Sequence, residues 1–158
     1  MTAVPSTAIA SDYLMTVHAP IAGASQRIDD TLTIFHSERG RVEGPRVKGT
    51  ILPPTADWLR ATPSGSLRVD ARMTIATEDG ALIYLAYGGV ISIALGDFAR
   101  MAAGETLRAD EMYFMTAPVF QTAHPDYAWL NHMQAIGKAA ALKGGDGGFV
   151  KYDLFAIR

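Results

Sequence analysis

The clearest order in the chain is a period of two. Over residues 67–77, Leu67, Val69, Ala71, Met73 and Ile75 alternate with Arg68, Asp70, Arg72 and Thr74, the pattern of a β-strand whose two faces meet different surroundings. Glu78-Asp79-Gly80 supplies a hairpin turn, and residues 81–87 return as the partner strand before Gly88-Gly89. Shorter extended stretches are predicted over residues 13–18, ending at Pro20, and over residues 31–37. In the latter, Thr31, Thr33 and Phe35 share one face, and Leu32, Ile34 and His36 the other. Another runs over 47–52 until Pro53-Pro54 stops it, and two more, 112–116 and 119–122, flank Pro118. Residues 133–142 and 149–157 form a closing hairpin whose tip is Lys143-Gly-Gly-Asp-Gly-Gly148.

Only one stretch reads as a full helix. Asp97 is placed to cap it, Phe98, Met101 and Ala102 give it an i, i+3, i+4 apolar face, and Gly104 ends it. Pro125 opens a helical turn that runs to Asn131. Many short strands with turn signals between them, and no β/α alternation, predict an all-β protein built as a single antiparallel barrel with an interior cavity.

Composition narrows the chemistry. With 49% hydrophobic residues in 158, the chain has a substantial core to bury. It has no cysteine, hence no disulfide, thiolate metal site or thiol nucleophile. Lys and Arg number 14 against 16 Asp and Glu, a net charge of -2 with no basic patch, which argues against nucleic acid as a partner. No apolar run approaches the roughly 18 residues of a membrane span. Residues 1–10 lack the basic start and long apolar stretch of a secretion signal, so the expectation is a loose leader before one domain at 11–158, in a cytoplasmic protein. His18, His36, His124 and His132 are scattered without ligand spacing, so no metal is expected. There is neither a glycine-rich phosphate loop nor a Gly-x-Ser-x-Gly elbow, and no cofactor is expected.

The candidate site depends on which face of residues 67–77 lines the barrel. An Asp70–Arg72 pair tolerates partial burial better than a lone charge, and Tyr84 on the partner strand is within cross-strand reach. The polar face is therefore expected inside, with Asp70, Arg72, Thr74 and Tyr84 around a ligand. The apolar row, turned outward, then needs a cover, which a homodimer would provide. Asp57 beside Trp58 is a carboxylate that an indole would desolvate, raising its pKa into the useful range for proton transfer. Trp129 and Asn131 in the Pro125 turn, and Met115 and Thr116 in the strand before Pro118, complete the expected ligand-binding set.

Several segments in order resemble one family. They are Val42-Glu-Gly-Pro-Arg-Val-Lys-Gly-Thr-Ile-Leu-Pro53, Ala56-Asp-Trp58, Asp70-Ala-Arg-Met-Thr74, Thr77-Glu-Asp-Gly-Ala-Leu-Ile-Tyr84, Tyr113-Phe114, Thr116-Ala-Pro118 and Pro125-Asp-Tyr-Ala-Trp-Leu-Asn131. Over residues 11–157 the chain resembles the DUF3237 family, also called the UPF0311 proteins. The resemblance implies a single, somewhat lipocalin-like antiparallel barrel with an interior cavity, and it brings no established activity. Two departures stand out: Met115 occupies a position where many members carry a basic residue, and Ile91-Ser92-Ile93 stands where many have Arg-His-Gly. Both make the expected pocket more apolar.

Two functions follow from these residues. One is a cofactor-independent enzyme of isomerase, lyase, hydratase or cyclase type, acting on a hydrophobic carbonyl-bearing or aromatic compound. In it Asp57 or Asp70 moves the proton, and Arg72 with Tyr84 or Asn131 steadies the oxyanion. The alternative is a carrier of an apolar small molecule, with the same cavity and no poised acid or base.

Overall fold

The computed structural model describes residues 7–158. Ten strands appear in chain order as β1 (Ser11–Arg27), β2 (Leu32–Ser37), β3 (Arg41–Glu43), β4 (Lys48–Ala61), β5 (Leu67–Thr77), β6 (Leu82–Ser92), β7 (Thr106–Arg108), β8 (Tyr113–Gln121), β9 (Ala135–Lys143) and β10 (Phe149–Ile157). A helix, α1 (Leu95–Ala102), lies between β6 and β7, and a 3₁₀ helix (Pro125–His132) lies between β8 and β9. All pairings are antiparallel. The order β10–β1–β2–β4–β5–β6–β8–β9 closes through a β9–β10 ladder, so the sheet is a barrel. Short β3 bridges β1 and β4, and β7 extends β9 at one rim.

Three strands run through the prolines at which the sequence pattern stops them. Each proline sits where a ladder is interrupted, so its missing N–H costs little. Pro20 falls between the β3 ladder, which reaches His18, and the β2 ladder, which starts at Ile21. Pro53 and Pro54 occupy a bulge in β4, between the pairs Leu52↔Thr74 and Ala56↔Arg72. Pro118 is paired to Tyr87 on one side, while the β8–β9 ladder on the other is confined to Met115 and Thr116. There β8 and β9 approach so closely that a Cβ on Gly137 would lie 2.3 Å from the Thr116 Oγ1. Glycine is required at that crossing.

The alternation in β5 resolves with the apolar row inward. Val69, Ala71, Met73 and Ile75 are buried, while Arg68, Asp70 and Arg72 are exposed. Exposing the row would forfeit on the order of 1.5–3 kcal/mol for each large member, and a surface pair gains nothing comparable by entering the core. The expectation of an inward polar face is thus corrected. With it goes the reason for a subunit to cover this row.

Helix α1 begins earlier than its sequence suggests. Ala94 is its N-cap, so Asp97 lies within the first turn and its carboxylate accepts from Arg100 Nη1 at 2.9 Å instead of capping the helix. Gly104, at φ +93°, ends it as expected. The 3₁₀ helix starts at Pro125, again as expected. Of the leader, residues 1–6 lie outside the described residues, and Ala10 exchanges two backbone hydrogen bonds of 2.9 Å with Arg158. No helix among the described residues is long and apolar enough to cross a membrane.

The two ends of the barrel differ. At one, the 3₁₀ helix plugs the interior with fully buried Leu130, and Ile51, Ile75 and Ile83 make a solid core above it. At the other, where β2 begins and β5 begins, the interior is hollow and α1 lies across the rim.

Candidate functional site

The hollow end holds a cavity of about 410 Å³, within the range of small-molecule sites. Its wall is mostly apolar and includes Phe35, Leu59, Leu67, Ile91, Phe114 and Val150, inward residues of six strands. Phe98 and Met101 of α1 reach the rim.

Three ionisable side chains project into this mostly apolar space from different strands, Asp57 from β4, Tyr87 from β6 and Tyr152 from β10, and the hydroxyl residues Thr33 and Thr55 line it with them. Register places them. Ala71 of β5 is paired with Asp57 on one side and with Tyr87 on the other, so all three share the inner face. The small Ala71 side chain leaves room between the carboxyl and the phenol. Tyr152 packs edge-on against both Tyr87, at a centroid distance of 6.0 Å, and Phe114, at 5.3 Å. These contacts hold the two rings in fixed orientations.

The electrostatics follow from burial. Asp57 is taken out of water by the barrel wall, and this pushes its pKa from 3.8 to about 6. The backbone N–H of Asp70 donates to Asp57 Oδ1 at 3.0 Å and partly offsets the rise, and the Asp70 charge adds to it. Burial and the nearby Asp57 charge push the Tyr87 phenol well up. Tyr152 is raised by burial first, then by Tyr87 and Asp57. Both phenols therefore remain protonated donors at any pH at which Asp57 titrates. Of these three groups, one exchanges protons near neutrality and two keep theirs.

Of the residues expected at the site, Asp57 lines this cavity. The cause of its raised pKa is not the one anticipated: Trp58, its neighbour along the strand, faces outward, with the Arg72 guanidinium 5.6 Å from its ring centre. Asp70 and Arg72 form an ion pair on the outer surface, their side chains 57% and 47% exposed. Thr74 and Tyr84 are paired with each other on that same outer face. Met115 is also turned outward, opposite Lys138. Thr116 is buried inside the barrel below the cavity floor, beside Tyr87 and Tyr152, in a gap the size of one water. Trp129 lies at the plugged end, its indole 3.7 Å beneath the Arg46 guanidinium. Asn131 is there too, bonded to the backbone N–H and C=O of Thr122 at 2.9 Å each. These two and the outward residues belong to the shell of the barrel, not to its cavity.

Tyr87 and Tyr152 are the residues that sequence reading passed over. The signal for them was parity. Once Val69–Ile75 is placed inward, the Glu78–Gly80 turn puts Ile83, Leu85 and Tyr87 on the inside and Tyr84 on the outside. Tyr152 stands between Lys151 and Asp153 in the same alternation, in line with inward Leu154.

Comparison with known proteins agrees with this architecture. The profile of the family described as "Protein of unknown function (DUF3237)" matches residues 8–157. A UPF0311 protein of Rhodopseudomonas palustris (strain TIE-1) is 33% identical over 101 residues, 64% of this chain and 66% of that protein's length, just under two thirds. Among solved structures, a conserved protein of unknown function from Rhodopseudomonas palustris superposes with a TM-score of 0.85 at 25% identity, covering 98% of this chain and 100% of that one. A β-barrel-like protein from Acinetobacter baumannii AYE gives 0.78 at 28% identity, covering 98% and 99%. An enzyme from Penicillium herquei gives 0.66 at 20% identity, covering 99% and 100%, a likeness of fold alone.

Proposed function

This chain belongs to the DUF3237 family, and from that premise we propose that its barrel is a cofactor-independent enzyme that moves a proton on a hydrophobic carbonyl compound held in the cavity. One observation carries the reading: a carboxyl with a pKa of about 6 faces two protonated phenols across an apolar hollow. A general base is most effective with a pKa near the working pH. Above pH 6, the Asp57 carboxylate removes a proton from the carbon beside the carbonyl. The electron pair moves onto the carbonyl oxygen, which Tyr87 and Tyr152 hold through their hydroxyl hydrogens. The Asp57 carboxylic acid then returns the proton to a different carbon, or to the same one. Atoms and charge balance without a further reactant, and isomerisation is the simplest outcome. Elimination by a lyase, including loss of water (the reverse of a hydratase reaction), and enolate-driven cyclisation begin with the same step.

The experiment is a thermal-shift screen of alicyclic and aromatic ketones, followed by incubation of each stabilising ketone in D₂O. The expected result is deuterium at the carbon beside the carbonyl. Asp57→Asn should slow that exchange by roughly 10²–10⁴-fold while binding persists. The carrier reading draws on the same apolar wall. A ketone that binds and keeps its protons in wild-type protein would establish it and end the enzyme reading.

A further inference from the structure

Four serine or threonine residues line the cavity, all from β2, the turn before it, or β4: Thr31, Thr33, Ser37 and Thr55. Three of them have given their proton to the protein. The Thr31 hydroxyl donates to Asp29 Oδ1 at 2.8 Å. Ser37 donates to the Pro20 carbonyl at 2.6 Å, and Thr55 to the Leu52 carbonyl at 2.9 Å. The Thr33 hydroxyl takes part in none of the side-chain hydrogen bonds of the described residues. No buried side-chain polar atom among those residues lacks a partner, so Thr33 Oγ1 is not sealed inside the wall.

Register shows where it points. Thr33 is paired with Leu59, and Phe35 with Asp57, whereas Leu32 and Ile34 are paired with Arg60 and Trp58. The first four line the cavity and the last four do not. Thr33 therefore faces inward. It stands diagonal to Asp57 and nearer the mouth, since β2 begins at the hollow end. Diagonal neighbours on one face of an antiparallel pair are roughly 7–8 Å apart. Away from β2 and β4, the wall supplies Ile91, Phe114 and Val150, which offer no hydrogen bond.

We propose that Thr33 is a specificity-determining residue: its hydroxyl binds a second oxygen of the ligand. The substrate class is then oxygenated ketones, with a hydroxyl or carbonyl oxygen about one six-membered ring away from the carbon that loses its proton. The inference rests on the cavity being the ligand site and deepens the reading of Asp57 as its base. A threonine hydroxyl both donates and accepts. An apolar ligand that displaced its water would leave it unpaired, so the site discriminates against a methyl group at that place.

Two ketones of nearly the same shape test this: 4-hydroxyphenylacetone carries an oxygen across the ring, and 4-methylphenylacetone carries a methyl group. Calorimetric titration of each into each variant gives a ratio of two affinities. Wild-type protein is expected to prefer the hydroxy ketone. Thr33→Val replaces the hydroxyl with a methyl of similar size. It should weaken the hydroxy ketone about three- to tenfold, the scale of one neutral hydrogen bond, without weakening the methyl ketone. Its melting temperature should match wild type, because no bond within the protein is lost. Thr33→Ser keeps the hydroxyl and should keep the preference. Thr55→Val removes a hydroxyl already bonded within the wall and should leave the ratio within about twofold. Asp57→Asn should slow deuterium uptake yet preserve the ratio, so base and selecting hydroxyl fail separately. If Thr33→Val weakens both ketones alike or neither, or if Thr55→Val changes the ratio as much, the assignment is refuted while the Asp57 reading stands. If neither ketone binds wild-type protein, the substrate class is overturned, and deuterium uptake by ketones without a second oxygen still decides the role of Asp57.

Discussion

An aspartate meets tyrosine at each end of this barrel, and the two pairings behave in opposite ways. At the plugged end, the Tyr127 hydroxyl donates to both carboxylate oxygens of Asp79 at 3.0 Å, and the Thr77 hydroxyl donates to Oδ1. Those donors, Thr77 first, hold the Asp79 carboxyl below the ordinary range. It is a settled anion tying the β5–β6 turn to the 3₁₀ helix. At the hollow end, Asp57 receives one backbone N–H and no side-chain donor, so its charged form is disfavoured. The residue types are the same. What differs is how many donors each carboxylate has for the water it gave up, and that count separates a fastener from a reactive group.

Four measurements break or sharpen this contrast. The largest effect is on rate: Asp57→Asn should cost roughly 10²–10⁴-fold in solvent deuterium uptake by a bound ketone, while Tyr127→Phe should leave uptake unchanged. The next is on stability, with the opposite sign. Folding holds Asp57 protonated up to about 6, whereas the unfolded chain ionises it near 3.8. The native state therefore binds the extra proton between those values, and stability falls as pH rises through that window and is level above it. Asp57→Asn should thus be more stable than wild type by roughly 3 kcal/mol well above pH 6, and by nothing measurable below about pH 3. Urea titrations at several pH values test it. An Asn variant that is less stable at pH 7 would show that the carboxylate is well solvated after all.

Smaller effects belong to the plugged end and the outer wall. Tyr127→Phe removes one hydrogen bond shared between both oxygens of a carboxylate and should destabilise by about 1–2 kcal/mol near neutral pH. Asp79 is a lowered acid, so its contribution is present above the ordinary carboxylate range and is lost as pH falls through its folded pKa. The Tyr127→Phe deficit should shrink in acid accordingly. Smallest is Arg72→Ala: an ion pair this exposed should contribute no more than about 0.5 kcal/mol. Ligand binding should be untouched. A large loss of binding would mean that the outer face of β5 takes part in function.

Much of the fold was legible, because alternation, turn residues and the family segments all point to one antiparallel barrel. The strands broken by Pro20, Pro54 and Pro118 were not, since a sequence does not reveal where a ladder has a gap that tolerates a proline. The site was legible at Asp57 alone among Asp57, Tyr87 and Tyr152. The reason is parity: a strand read with the wrong face inward misplaces every residue on it and on its partner. Asp70 and Arg72 were drawn inward because they can pair, yet they pair just as well on the surface. The buried volumes of Met73 and Ile75 decide the face, and Tyr87 follows from it.

The way the chain crosses the open rim has one more consequence. Between β6 and β8 it leaves the closed ring, makes α1 and β7, and returns. None of α1 is buried, and it is fastened chiefly by Arg100, which bridges Asp97, Glu105 and Glu111 at 2.9 Å each. The barrel closes without this excursion, so the mouth of the pocket is a modular part. Doubling the length of such a loop costs only about 0.6 kcal/mol in closure entropy. Residues 94–105 could therefore be shortened, lengthened or exchanged to reshape the entrance, while β7 stays with the eight-stranded ring through its ladder to β9 and fully buried Leu107.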